Sequence, residues 1–146
     1  MPKVLVAYYS KTGNTKQVAE AIAEGAKSVK GVDVQIKNVA DINAKEAVEA
    51  DGFAFGSPAY FSMMSGPLLT LLTDFYFVRE KLAGKPMVAF ATGGGSQTKT
   101  TANIESILKA FNPKLILPGL AVDSKISETD KQQAKQLGEK LAKTLS

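Results

Sequence analysis

The residues of this chain that could do chemistry gather in three short stretches. The first is Ser10-Lys11-Thr12-Gly13-Asn14-Thr15, which puts three hydroxyls, a glycine and an asparagine into six positions. It follows the apolar run Val4-Leu5-Val6-Ala7-Tyr8-Tyr9. A helical pattern comes straight after it, with Val18, Ala19, Ile22, Ala23 and Ala26 on one face. A helix start leaves backbone N–H groups unpaired and carries partial positive charge. The hydroxyls of Ser10, Thr12 and Thr15 add further donors, so the stretch suits a phosphate. The alternative is an ordinary capped helix with Asn14 and Thr15 as its caps. Neither GxxxxGK[ST] nor GxGxxG is present, since Gly13 stands alone.

The second stretch, Ser57-Pro58-Ala59-Tyr60-Phe61-Ser62-Met63-Met64, is rich in aromatic and thioether groups. Such groups in a loop suit stacking on a flat ring. Alternatively, Phe61 and Met64 close the core. The third stretch, Thr92-Gly93-Gly94-Gly95-Ser96-Gln97, is nearly all backbone. Its glycines allow close approach to a ring edge, where amides can bond ring carbonyls. The alternative there is a flexible turn.

The elements that must position these stretches alternate. Apolar strands are expected at 4–9, 52–56, 87–91 and 115–117, the last closed by Pro118-Gly119. Val32-Asp33-Val34-Gln35-Ile36 alternates and reads as a more peripheral strand. Helices are expected to Lys27 with exit at Gly31, over 41–50, from Pro67 toward Leu82, and from Thr101 to Phe111. Ser127 opens a last helix with Glu128 and Asp130 at its start and Lys140 and Lys143 near its end, an order that complements the helix dipole. Five β-α units with short links imply an α/β fold, a parallel sheet with helices on both faces. The three stretches all leave C-terminal strand ends, where ligands of such sheets bind. The loops at the other end carry lysine and proline and no comparable cluster.

Composition narrows the chemistry. The 146 residues contain no cysteine and no histidine, which excludes disulfides, thiolate or imidazole metal sites, Cys nucleophiles and Ser-His triads. One domain over 1–146 is expected. No apolar run reaches membrane-spanning length and no leader is read before the first strand, so a cytoplasmic location is expected. The net charge of +4 comes from scattered lysines, without a block of five like charges. No nucleic acid is expected as a partner, whereas a basic surface can steer an acidic protein.

With these residues in hand, the chain resembles the flavodoxin family. Ser10-Lys11-Thr12-Gly13-Asn14-Thr15 is similar to that family's T/S-x-T-G-x-T phosphate loop, and the length, the β-α units and the three loops agree over the whole chain. The resemblance implies a flavodoxin-like three-layer sandwich, a five-stranded sheet in order 2-1-3-4-5, and bound FMN. Ser10, Thr12, Gly13, Asn14 and Thr15 would hold the phosphate, with the Lys11 side chain turned to solvent. Ser57, Pro58, Ala59, Tyr60, Phe61 and Ser62, with Thr92, Gly93, Gly94, Gly95 and Gln97, would flank the isoalloxazine. No catalytic residue and no metal ligand are implied.

Several features depart from many flavodoxins. The third loop has no aromatic, the second has no glycine between Ser57 and Met64, and stretches 57–73 and 92–104 hold no Asp or Glu. Missing carboxylates should penalise the anionic, fully reduced flavin less, making the last reduction step less negative. Pro58, Phe61 and Met64, and the run Gly93-Gly94-Gly95-Ser96-Gln97, are similar to loops of NAD(P)H:quinone oxidoreductases of the tryptophan-repressor-binding-protein type. That group usually has a histidine near its flavin and an insertion, neither of which this chain has. Three functions follow in order. The first is an electron carrier, monomeric or a small homo-oligomer, shuttling between redox partner proteins. The second is an FMN-dependent NAD(P)H:quinone reductase. The third is a flavin-free interaction domain.

Overall fold

Strand β1 (Lys3–Tyr8) sends alternate side chains into two separate cores. Val4, Val6 and Tyr8 enter one, while Leu5 and Ala7 enter the other. A strand apolar on both faces must be central, because only burial on both sides removes all of that surface from water. Accordingly, β2 (Asp33–Asn38) and β3 (Gly52–Pro58) flank it, both parallel. Strand β4 (Pro86–Gly93) pairs with β3, and β5 (Leu115–Ile116) with β4. The strand order is therefore 2-1-3-4-5, as expected. The computed structural model describes residues 1–146.

One strand goes beyond the expectation. The fifth strand does not end at Leu117. After Pro118-Gly119 it resumes as β6 (Leu120–Asp123), parallel to the same neighbour and paired with Phe90–Gly93. Proline lacks an N–H, so the ladder breaks there. The eight residues of β4 are long enough to take both pieces.

Helices α1 (Asn14–Lys27) and α5 (Glu128–Lys143) cover the Val4-Val6-Tyr8 face. They pack at backbone distance. A methyl on Gly25 would overlap the Lys135 carbonyl, and one on Gly138 would overlap the Ile22 carbonyl. The other face carries α2 (Ala44–Ala47), α3 (Gly66–Tyr76) and α4 (Gln97–Leu108). Phe53, Phe55, Phe75 and Phe111 form its aromatic centre, in stacked and edge-to-face pairs 5.6–6.4 Å apart. The segment expected as helix over 41–50 shortens to a 3-10 turn (Val39–Asp41) and the single turn of α2, capped by Asn43. In turn, α4 begins four residues before Thr101, so Gln97 is its first residue. No helix is long and apolar enough to cross a membrane.

Candidate functional site

The three stretches meet at the C-terminal strand ends. In the first, the chain leaves β1, Tyr9 N–H donates to the Gly56 carbonyl (3.1 Å), and Gly13 adopts φ +97° as it enters α1. Glycine reaches this left-handed conformation without a Cβ penalty. Ser10 Oγ accepts from Gly13 N–H at 3.1 Å and fixes the turn. No side chain caps α1, and the first amide in its ladder is that of Gln17, bonded to the Gly13 carbonyl. The amides of Asn14, Thr15 and Lys16 therefore have no acceptor within the chain. The alternative of an ordinary capped helix, with Asn14 and Thr15 as caps, is thus not what forms. Thr12 and Lys11 are exposed, and no Asp or Glu lies between residues 9 and 19.

Thr15 behaves differently from the other two hydroxyl residues. It is 1% exposed, and its Oγ1 lies 2.9 Å from Thr92 Oγ1, at the end of β4. This pair links the first stretch to the third.

In the second stretch, Ser57 closes a local network. Its hydroxyl donates to the Pro58 carbonyl and accepts from Ser65 N–H, both at 2.7 Å. Ser65 in turn caps α3, with Pro67 in the first turn. Met64 N–H donates to Asn103 Oδ1 of α4 at 2.9 Å. Between these anchors stands a hairpin. Tyr60 and Met63 exchange both backbone hydrogen bonds at 2.9 Å, and the tip residues Phe61 (φ 53°) and Ser62 (φ 63°) are both left-handed. This is the geometry of a two-residue turn that normally recruits Asn and Gly. Phe61 is 93% exposed at the tip, whereas Met64 is buried in the core. The second stretch thus divides: Met64 packs inside, and Tyr60, Phe61 and Met63 face outward. Burial, then the neighbouring Tyr9, raises the Tyr60 phenol above the usual tyrosine range.

In the third stretch, Gly94 and Gly95 are exposed, and nothing lies within 4 Å of a methyl added at either. Gly95 N–H donates to Gln97 Oε1 at 2.8 Å, so Gln97, from the start of α4, already holds one of the loop amides. The Thr92 carbonyl accepts from Ala59 N–H at 2.8 Å and binds the second stretch to the third.

Sequence reasoning missed two residues here. Asn103, 39 positions from its partner Met64, left no local signal. Asp123 stands in register with Gly93 because β6 exists, so a carboxylate does border the third stretch. The apolar run Leu120-Ala121-Val122 after Pro118-Gly119 was the available signal.

A doubly wound parallel sheet with free helix-start amides at its C-terminal end is the framework of proteins that bind phosphorylated ligands where the winding reverses. The chain belongs to the flavodoxin family, whose model, described as Flavodoxin, matches residues 6–138. A flavodoxin of Aquifex aeolicus (strain VF5) is 38% identical over 96 residues, 65% of this chain and 52% of that protein, so the match spans about half the length of that relative. A flavodoxin from the domain Archaea superposes with a TM-score of 0.88 at 30% identity, covering 98% of each chain. A WrbA-like flavodoxin from Agrobacterium tumefaciens gives 0.79 at 21% identity, covering 99% of this chain and 97% of that one, a likeness of fold alone.

Proteins of this family bind FMN. The residues present suit that group: three unpaired amides, the hydroxyls of Thr12 and Thr15, and no carboxylate in the loop, a donor set matched to a phosphate dianion.

Proposed function

We propose that the chain binds FMN non-covalently and carries electrons between redox partner proteins. The observation carrying this reading is the uncapped start of α1 on a left-handed Gly13. Residues Ser10 to Thr15 would hold the phosphate, with Lys11 contributing backbone and leaving its side chain in solvent. Ser57 to Ser62, with Thr92 to Gly95 and Gln97, would flank the ring. Bound FMN supplies one- and two-electron redox chemistry. The chain's own groups bind, orient and shield. None needs to move a proton, in keeping with a sequence without His or Cys.

The exposed Tyr60, Phe61 and Met63 form an apolar knob on which a partner could seat, and the net charge of +4 suits an acidic one. Asp123 alongside Gly93 supplies one negative charge to a border that is otherwise free of carboxylates over 57–73 and 92–104. The last reduction step should therefore be less negative than in a carboxylate-lined site.

A second reading, an FMN-dependent NAD(P)H:quinone oxidoreductase, is favoured by one observation, the open backbone at Gly94 and Gly95, which leaves room for a second substrate. One reconstitution separates the readings. The purified chain should take up FMN, bind it more tightly than riboflavin, and oxidise NAD(P)H negligibly without a separate reductase. Direct NAD(P)H turnover would replace the carrier with the reductase. A protein that gains no flavin absorbance would leave an interaction domain.

A further inference from the structure

Thr92 is the penultimate residue of β4, beside the glycines of the third stretch, a place that assigns it to the flavin ring. The geometry points elsewhere: we infer that Thr92 is a positioning residue for the phosphate loop, setting the direction in which the Thr15 hydroxyl donates. The inference rests on the FMN reading above.

The two hydroxyls are 2.9 Å apart although 77 residues separate them in sequence. Thr15 is 1% exposed and Thr92 is 2% exposed. No buried side-chain nitrogen or oxygen in the protein lacks a partner, so each hydroxyl is what satisfies the other. Thr92 is held firmly. Its backbone is paired in register with Pro58 on one side and Val122 on the other, and its carbonyl accepts from Ala59 N–H. Threonine is also stiff at χ1.

A hydroxyl has one proton to give. With an anion at the start of α1, the Thr15 proton goes to it, beside the unpaired amides of Asn14, Thr15 and Lys16. The Thr15 oxygen can then only accept, and Thr92 is the neighbour placed to donate. The chain of donors runs Thr92 to Thr15 to anion, each bond polarising the next. Without Thr92, the Thr15 hydroxyl loses its buried donor and its fixed direction. The ring is untouched by this loss, so the effect must follow the phosphate.

The test titrates the apo protein with FMN and, separately, with riboflavin, which lacks the phosphate, following flavin fluorescence. Thr92→Val should weaken FMN about tenfold, the usual scale for losing a hydrogen bond in a charge-assisted chain, and riboflavin less than about twofold. Thr92→Ser keeps the hydroxyl and should hold FMN within about threefold. Thr15→Val should show the same phosphate-dependent loss, and adding Thr92→Val to it should cost nothing more.

Equal weakening of both flavins in Thr92→Val would make it a ring contact and overturn the inference. So would losses from the two valine substitutions that multiply. An unchanged FMN-to-riboflavin ratio in Thr15→Val overturns it whether or not Thr92→Val folds, which thermal unfolding of each apo variant reports. A wild-type protein with no preference for FMN over riboflavin would instead remove the phosphate reading itself.

Discussion

Backbone groups at the two ends of the sheet meet opposite fates. At the N-terminal strand ends they are tied down by charged residues. Lys3 N–H donates to Asp51 Oδ2 and Asp51 N–H to the Lys3 carbonyl, both at 2.8 Å. The Lys85 ammonium donates to the Val48 carbonyl at 2.6 Å, and Lys81 pairs with Glu49 at 3.1 Å. At the C-terminal ends, three amides of α1 lack acceptors, and Gly13, Phe61 and Ser62 are left-handed. Left-handed residues occur at both ends, with Gly31, Gly84 and Asn112 at the settled one, but only the hairpin tip sets two non-glycine residues side by side in that conformation. Open donors cost stability, and they gather where a ligand can compensate for them. The difference teaches how one sheet keeps a settled end and an end prepared for binding.

The largest effect should come from filling the prepared end with charge. Thr12→Asp puts a carboxylate beside the helix start. Two like charges about 4 Å apart repel by roughly 4 kcal/mol at an effective dielectric of about 20. After solvent relaxation, FMN affinity should fall about a hundredfold. Riboflavin affinity should hold within about twofold, and apo melting should stay level or rise slightly, since an acid favours a helix N-terminus. Titration of both flavins and a thermal melt check this. A parallel fall in melting temperature would mean that the loop is structural, and the contrast between the ends would be lost.

A middle-sized effect concerns strain. Ser62→Gly removes the Cβ from a residue at φ 63°. The left-handed region costs a residue with Cβ about 1–2 kcal/mol, partly offset by the greater freedom of glycine in the unfolded chain. The apo protein should gain roughly 0.5–1 kcal/mol in urea unfolding at an unchanged slope. A loss of stability would show that the hairpin tip carries no strain, and only the open amides would then distinguish the two ends.

What the sequence revealed divides along the same line. Strand order, layers and the strand-to-helix turn at residues 10–15 were readable because β1, β3 and β4 are apolar on both faces and those six residues act at short range. The resumption of the fifth strand after Pro118-Gly119 was not, because its pairing partner lies some thirty residues earlier, in β4. The first turn of α4 was hidden because Gln97, Thr98 and Lys99 are polar and partly or wholly exposed, leaving no apolar period to read. Within the site, local turns were legible in outline. The bonds Thr15–Thr92 and Met64–Asn103 were not, since each joins distant segments through the fold. Phe61 and Met64, alike in hydrophobicity, went opposite ways because the left-handed tip turns one outward.

The smallest effect tests the settled end. Burial holds the Lys85 ammonium below the usual lysine range; Asp51 and then Glu49 pull it back up, while Lys81 pushes it down. Between its folded value and the ordinary 10.5, the unfolded chain carries a proton there and the folded chain does not. Stability from this group therefore rises with pH across that window and is lost as pH falls through it. Tyr60 acts in the opposite sense: its raised phenol makes the unfolded chain lose its proton first, so stability falls above the usual tyrosine range. The variant Lys85→Met isolates the lysine, since Tyr60 is unchanged in it. Removing the bond to the Val48 carbonyl shifts its whole profile, but the alkaline rise should vanish from the slope. Urea midpoints for both proteins between about pH 7 and pH 10.5 measure this. Parallel profiles would mean that the ammonium is as well solvated folded as unfolded, and the far end would then be held by backbone pairing without a buried charge.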